Sequence, residues 1–117
     1  MNLKDGLSLY IDVATDPASE LEWTASTYDR ATGVDSRDVF RTTVAATGAL
    51  ELVPDPAAGV YRTMATAALH NPDASVTPEI HIFMDDGSFV TTQWKGTLAA
   101  KATLYYSHGV WSVYEPS

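Results

Sequence analysis

Pro78-Glu79-Ile80-His81-Ile82-Phe83-Met84 is followed by Asp85-Asp86-Gly87, and then at once by Ser88-Phe89-Val90-Thr91-Thr92-Gln93-Trp94. In the first run Ile80, Ile82 and Met84 point one way and Glu79, His81 and Phe83 the other, because successive side chains of an extended chain alternate between faces. Asp-Gly between two such runs is a strong hairpin signal, since both residues tolerate the positive φ of a tight turn. No helical period competes with it. The stretch predicts a β-hairpin.

The same reading extends outward in both directions. Val60 to His70 is a long strand, ended by Asn71-Pro72-Asp73-Ala74-Ser75. Asn before Pro disfavours helix, and Asp can accept hydrogen bonds from its own following backbone. Ala102 to Ser107 and Val110 to Tyr114 form a closing hairpin around His108-Gly109, and Leu98 to Lys101 is a single helical turn or a loop. Toward the amino terminus, strands are predicted at Leu7 to Val13, Leu21 to Tyr28, Val39 to Ala46 and Ala49 to Val53. Asp29 to Ser36, rich in Thr, Gly, Asp and Ser, reads as a loop. Pro54-Asp55-Pro56-Ala57-Ala58-Gly59 is a stiff connector, because two prolines fix φ and withhold two backbone donors. Roughly eight or nine strands at spacings of about 8–12 residues predict an all-β chain, an antiparallel β-sandwich of jelly-roll type. The chain is read as one domain, 1–117, with amino-terminal strands and the Pro-rich connector in 1–59 and the hairpins in 60–117.

At 117 residues the domain is large enough to bury a core without staples. Cysteine is absent, which excludes disulfides, zinc-thiolate sites and a cysteine nucleophile. The formal net charge is -8, from 15 acids against 7 Lys and Arg. Such a surface repels phosphate backbones, so nucleic acid is not an expected partner. The apolar residues after Met1 are interrupted by polar ones and form no signal-peptide core. No stretch approaches the roughly 18 apolar residues of a membrane span, so no membrane association is expected.

Chemistry is sparse. His70, His81 and His108 lack the spacing of a local metal clamp. Asp85-Asp86-Gly87-Ser88 lacks the spaced acids and terminal Glu of a calcium loop and is explained by a turn. Asp29, Asp35 and Asp38 are acids around a loop, read as solvated charge. No Gly-x-Ser-x-Gly elbow or phosphate-binding glycine loop occurs. Neither a catalytic residue, a metal site nor a cofactor is expected. Trp94, Tyr106 and Trp111 are the candidates for a subunit interface or, alternatively, for stacking on a sugar; filling of the sandwich core is the plainer use of such rings. In Tyr105-Tyr106 adjacent rings point to opposite faces, so one of them meets solvent or a partner. Arg30, Arg37 and Arg41 are either solvated loop charges or a group that pairs with acids on a neighbour.

Several segments together resemble a family of small virion proteins of tailed bacteriophages. They are Arg62 through His70-Asn71-Pro72-Asp73-Ala74, Ile80-His81-Ile82, Gly96-Thr97-Leu98-Ala99-Ala100-Lys101-Ala102-Thr103-Leu104-Tyr105-Tyr106-Ser107 and Gly109-Val110-Trp111-Ser112-Val113. Leu7 to Val13 and Leu21-Glu22-Trp23-Thr24-Ala25-Ser26-Thr27-Tyr28-Asp29 also read like the amino-terminal part of that family. The chain departs from the pattern at Lys101, where a glycine is usual, and a different backbone is anticipated at that turn. The resemblance implies a non-enzymatic structural part of the particle, a head decoration or cement protein or a neck or tail accessory protein. It implies assembly in the host bacterial cytoplasm, residence in the virion, and partners that are copies of the chain itself, as a trimer or ring, with other virion proteins. The rival expectation is a carbohydrate-binding module for a host surface glycan.

Overall fold

The computed structural model describes residues 1–31 and 33–116. Among them ten strands form two antiparallel sheets, and no helix occurs. The strands are β1 (Asn2–Leu3), β2 (Ser8–Val13), β3 (Leu21–Ala31), β4 (Val34–Val44), β5 (Leu50–Val53), β6 (Tyr61–His70), β7 (Glu79–Asp85), β8 (Val90–Thr97), β9 (Thr103–Ser107) and β10 (Val110–Tyr114). The large sheet runs β10-β9-β6-β3-β4, with β1 added on β6; the small sheet runs β5-β2-β7-β8. The hairpins β3–β4, β7–β8 and β9–β10 stay within a sheet, and every other junction crosses to the opposite one.

The core fills the space between the sheets. Leu9, Ile11 and Val13 of β2 and Ile80 and Ile82 of β7 come from one side; Leu21, Trp23 and Ala25 of β3, Met64 and Leu69 of β6 and Leu104 of β9 come from the other. All but Met64 are withdrawn from water by strict alternation along their strands, and burial of apolar area of this kind contributes about 25 cal/mol per Å².

Three bulges change which residues face inward; the one on β5, where Leu52 is the extra residue, lets Leu52 and Val53 both be buried. Ser26 pairs with Thr66, and Thr27 with Met64, so Ala65 is the extra residue on β6. Thr66 stays outside while Met64 turns into the core; a strictly alternating strand would place both on one face. The carbonyl of Ala65 accepts the backbone N–H of His108 at 3.2 Å. On β8 the partners are Ile82 with Trp94 and Phe83 with Thr92, which leaves Gln93 as the extra residue and swings Trp94 to the inner side.

The segment read as a loop, Asp29 to Ser36, is a strand-and-turn structure instead. β3 continues to Ala31 and β4 begins at Val34, in unbroken register from Leu21↔Val44 to Ala31↔Val34; residue 32 lies outside the described residues. Pairing of β3 with β6 as far as Arg30↔Tyr61 carries the strand past the point where its composition favours a loop. The β7–β8 turn is also longer than expected. Ser88 and Phe89 belong to it, the amide of Asp86 donates to Phe89 O, and β8 starts only at Val90. The remaining difference is β1, a two-residue strand in a segment read as a lead-in.

One end of the sandwich is tied by Asn71, which is 1% exposed. Its side-chain NH₂ donates to the carbonyls of Val76 (2.9 Å), Leu98 (3.0 Å) and Ala99 (3.2 Å), and its oxygen accepts the N–H of Asp73. The Asp73 carboxylate in turn accepts the N–H groups of Ser75 and Val76 and the hydroxyl of Ser19, and these bonds hold it below the usual carboxylate range. The Leu98–Lys101 segment is a loop ending in a turn. Lys101 adopts φ 63, a left-handed backbone on a residue that carries a side chain.

Candidate functional site

Tyr106 is 3% exposed and faces the core, where its hydroxyl accepts a 2.6 Å hydrogen bond from the ammonium of Met1. Burial lowers the pKa of that ammonium. Trp111 lies opposite Tyr106 across the β9–β10 ladder, with ring centroids 4.9 Å apart, and is half-buried against the core. Trp94 packs against the core from the other sheet. The three rings therefore do not converge on one surface, and Tyr106 is removed from any ligand. The outward partner of the Tyr105-Tyr106 pair is Tyr105, 45% exposed.

Tyr105 stands on the outer face of the large sheet, beside residues whose side chains are small. A trough of about 300 Å³ there is lined by Thr24, Ser26, Thr66, Ala68, Tyr105 and Ser107, with contributions from Ala67 and Tyr106. Registers across β3, β6 and β9 align these positions: Thr24 with Ala68 and Ala68 with Tyr105, Ser26 with Thr66 and Thr66 with Ser107. Hydroxyls and methyls on a flat sheet leave the backbone open to close approach. On the β4 side this face ends in Arg37, Val39 and Arg41, cross-strand from Tyr28, Ser26 and Thr24.

The outer face of the small sheet is built differently. Tyr10 and Phe83 are stacked at 5.7 Å, and His81 leans on Phe83 at 4.9 Å while its Nε2 lies 2.7 Å from Thr92 Oγ1. This packing buries Phe83 to 8% exposure although it points away from the core. A cavity of about 480 Å³ adjoins the ring cluster, its lining including Asp12, Thr47, Gly48, Glu79, His81 and Lys95. Asp12, His81 and Lys95 are direct neighbours across β2, β7 and β8. Asp12 accepts the N–H of Gly48 at 3.3 Å.

The acids considered as ligands are engaged in structure. Asp29 takes a bidentate fork from Arg62 at 2.8 and 3.0 Å, and this pairing raises the Arg62 pKa further. Arg62 also donates to Pro54 O and lies 4.8 Å from the Phe40 ring centroid. Asp35 pairs with Arg30, and Asp38 caps the N–H of Val39. Asp85 and Asp86 accept turn amides, which lowers the pKa of Asp86. No cluster of three or more His, Cys, Asp or Glu able to hold a metal ion occurs among the described residues, and no helix there is long and apolar enough to cross a membrane.

The sheet edges complete the surface. β4, β10, β5 and β8 end the two sheets. On β10 and around β8 several large apolar side chains meet solvent: Val110 at 64%, Tyr114 at 62%, Phe89 at 76% and Val90 at 57%. Trp94 and Trp111 lie on two of these edge strands, but the exposed side chains there are Val110, Val113 and Tyr114 on β10 and Val90 on β8, none of them a candidate from the sequence. No family model, curated protein or solved structure matches this chain.

Proposed function

We propose that the chain is a non-enzymatic structural protein of a tailed bacteriophage virion, working in several copies as a head decoration or cement protein or as a neck or tail accessory protein. The resemblance of the Arg62–His70, Gly96–Ser107 and Gly109–Val113 segments supplies the particle. One structural observation supports the multi-copy role: β10 is an edge strand of five residues without charge or proline, and Val110, Val113 and Tyr114 are exposed on it. Single-molecule proteins usually blunt such an edge with lysine, proline or a bulge, because its free N–H and C=O groups recruit other strands. An edge left open in this way suits a protein whose neighbours cover it. The test is a mass-spectrometric copy count in purified particles. Several copies per particle are expected; absence from the particle ends the reading.

A second reading, a carbohydrate-binding module, draws on Tyr105 and the trough beside it, whose Thr and Ser side chains interrupt a mainly apolar lining. Rings of this kind stack on pyranose faces. It predicts glycan-array binding that disappears in Tyr105→Ala with the fold intact.

A further inference from the structure

The outer face of the large sheet carries two arginines that form no ion pair among the described residues. Arg37 and Arg41 stand on edge strand β4 on either side of Val39, which is 50% exposed. Both are exposed, and neither joins an ion pair among the described residues. Their direct cross-strand neighbours on β3 are Tyr28 and Thr24; the nearest acids on this face are Asp35, which is bonded to Arg30, and Glu22, which shares a surface hollow with Arg41 without forming an ion pair with it. The other side of the sandwich has the complementary character. The small-sheet cavity of about 480 Å³ counts Asp12 and Glu79 in its lining, with Lys95 offsetting only one of them. Glu51, cross-strand from Tyr10, adds a further exposed carboxylate to that face.

We propose that a second copy of this chain docks across these two faces, with the Arg37–Arg41 stripe of one molecule against the acidic small-sheet face of the next and its guanidinium groups reaching the cavity between Asp12 and Glu79. The inference rests on the multi-copy reading above and adds a second contact to the open β10 edge from which that reading is argued. A planar guanidinium donates two parallel hydrogen bonds to a carboxylate, and the neighbouring molecule would exclude water from the pair. The small Thr and Ser side chains beside the stripe allow the second body to come close, while charge complementarity fixes its orientation. The two patches lie on opposite sides of one molecule. The contact is therefore heterologous, and its repetition closes into a ring or continues as a stack.

Sedimentation velocity on the full chain tests this with two double variants, Arg37→Glu/Arg41→Glu and Glu51→Lys/Glu79→Lys. All four positions avoid the core, and circular dichroism and melting curves check the fold of each variant. Wild type is expected to assemble at about 50 mM salt and to dissociate toward about 500 mM, where the screening length shrinks. Each variant alone should be monomeric, and a 1:1 mixture should recover complexes. Assembly of either variant as in wild type would overturn the docking surface. So would wild-type assembly indifferent to salt, or glycan binding in the trough by the assembled protein. The virion role is tested separately by the particle copy count, which none of these results would alter.

Discussion

The two ends of the molecule use polar groups in opposite ways. At the Asn71 end a neutral amide is sunk in the fold and satisfied on every side by backbone. Along the β3–β4 hairpin the polar groups are charged, and two ion pairs sit at different depths. Arg62–Asp29 has side chains 11% and 20% exposed, whereas Arg30–Asp35 has 73% and 57%. The difference teaches that polar contacts here stabilise in proportion to what their loss would strand away from water, and less in proportion to formal charge.

The sharpest way to break that comparison is Asn71→Ala. The carbonyls of Val76, Leu98 and Ala99 would lose their donor, and that of Leu98 would lose it in a fully buried place. The expected loss is about 3 kcal/mol, or a fall of more than about 10 °C in Tm, read by thermal or urea unfolding. A fall of a degree or two would mean that the loop ends close without the amide.

The second effect, on the other end, is Arg62→Met. The apolar stem keeps its place near Phe40, but Asp29 is left half-buried without its fork. About 2 kcal/mol should be lost, less than for a fully buried pair because Asp29 retains some water. Adding Asp29→Leu should recover part of it, since the stranded carboxylate is then gone. No recovery in the double variant would assign the loss to the Pro54 contact instead.

These two ends also differ in how legible they were. The Asn71 turn could be read because Asn-Pro-Asp carries its own local instruction. The hairpin could not: Asp29, Arg30, Asp35 and Ser36 are weak strand formers, and Asp29 and Arg30 are held extended by β6, from the far side of the connector, with Ser36 and Asp35 pairing onto them in turn. The β7–β8 and β9–β10 hairpins were plain from alternation, and His108 and Gly109 do take positive φ. The bulges at Ala65 and Gln93 left no mark in the sequence, since any residue can be the extra one. That is why Trp94 looked available as a surface ring and is packed inward. At the candidate surface, the opposite facing of Tyr105 and Tyr106 was legible. That Arg37 and Arg41 form no ion pair was not, because a hydrogen-bond partner is a fact of three dimensions.

A smaller effect sharpens the Asn71 end. Lys101 holds φ 63, a left-handed conformation that costs a side-chain-bearing residue about 1 kcal/mol. Glycine would remove that cost but also the exposed Lys101 Nζ bond to Pro72 O, and would loosen the unfolded chain. Lys101→Gly should therefore stabilise the fold by only about 0.5 kcal/mol. Destabilisation would mean that the lysine bond outweighs the backbone strain.

The smallest effect belongs to Arg30→Ala. The Arg30–Asp35 contact is a single 3.2 Å bond between two largely exposed side chains. The pairing raises the Arg30 pKa, yet a guanidinium is charged at every ordinary pH, so the shift has no consequence for stability in that range. Breaking the bond returns Asp35 to water and strands nothing. The unfolding midpoint of Arg30→Ala should match wild type at low salt and at high salt alike. A clear drop at low salt that vanishes at high salt would mean that the hairpin relies on its surface charges after all, and depth would then no longer explain why Arg62 matters and Arg30 does not.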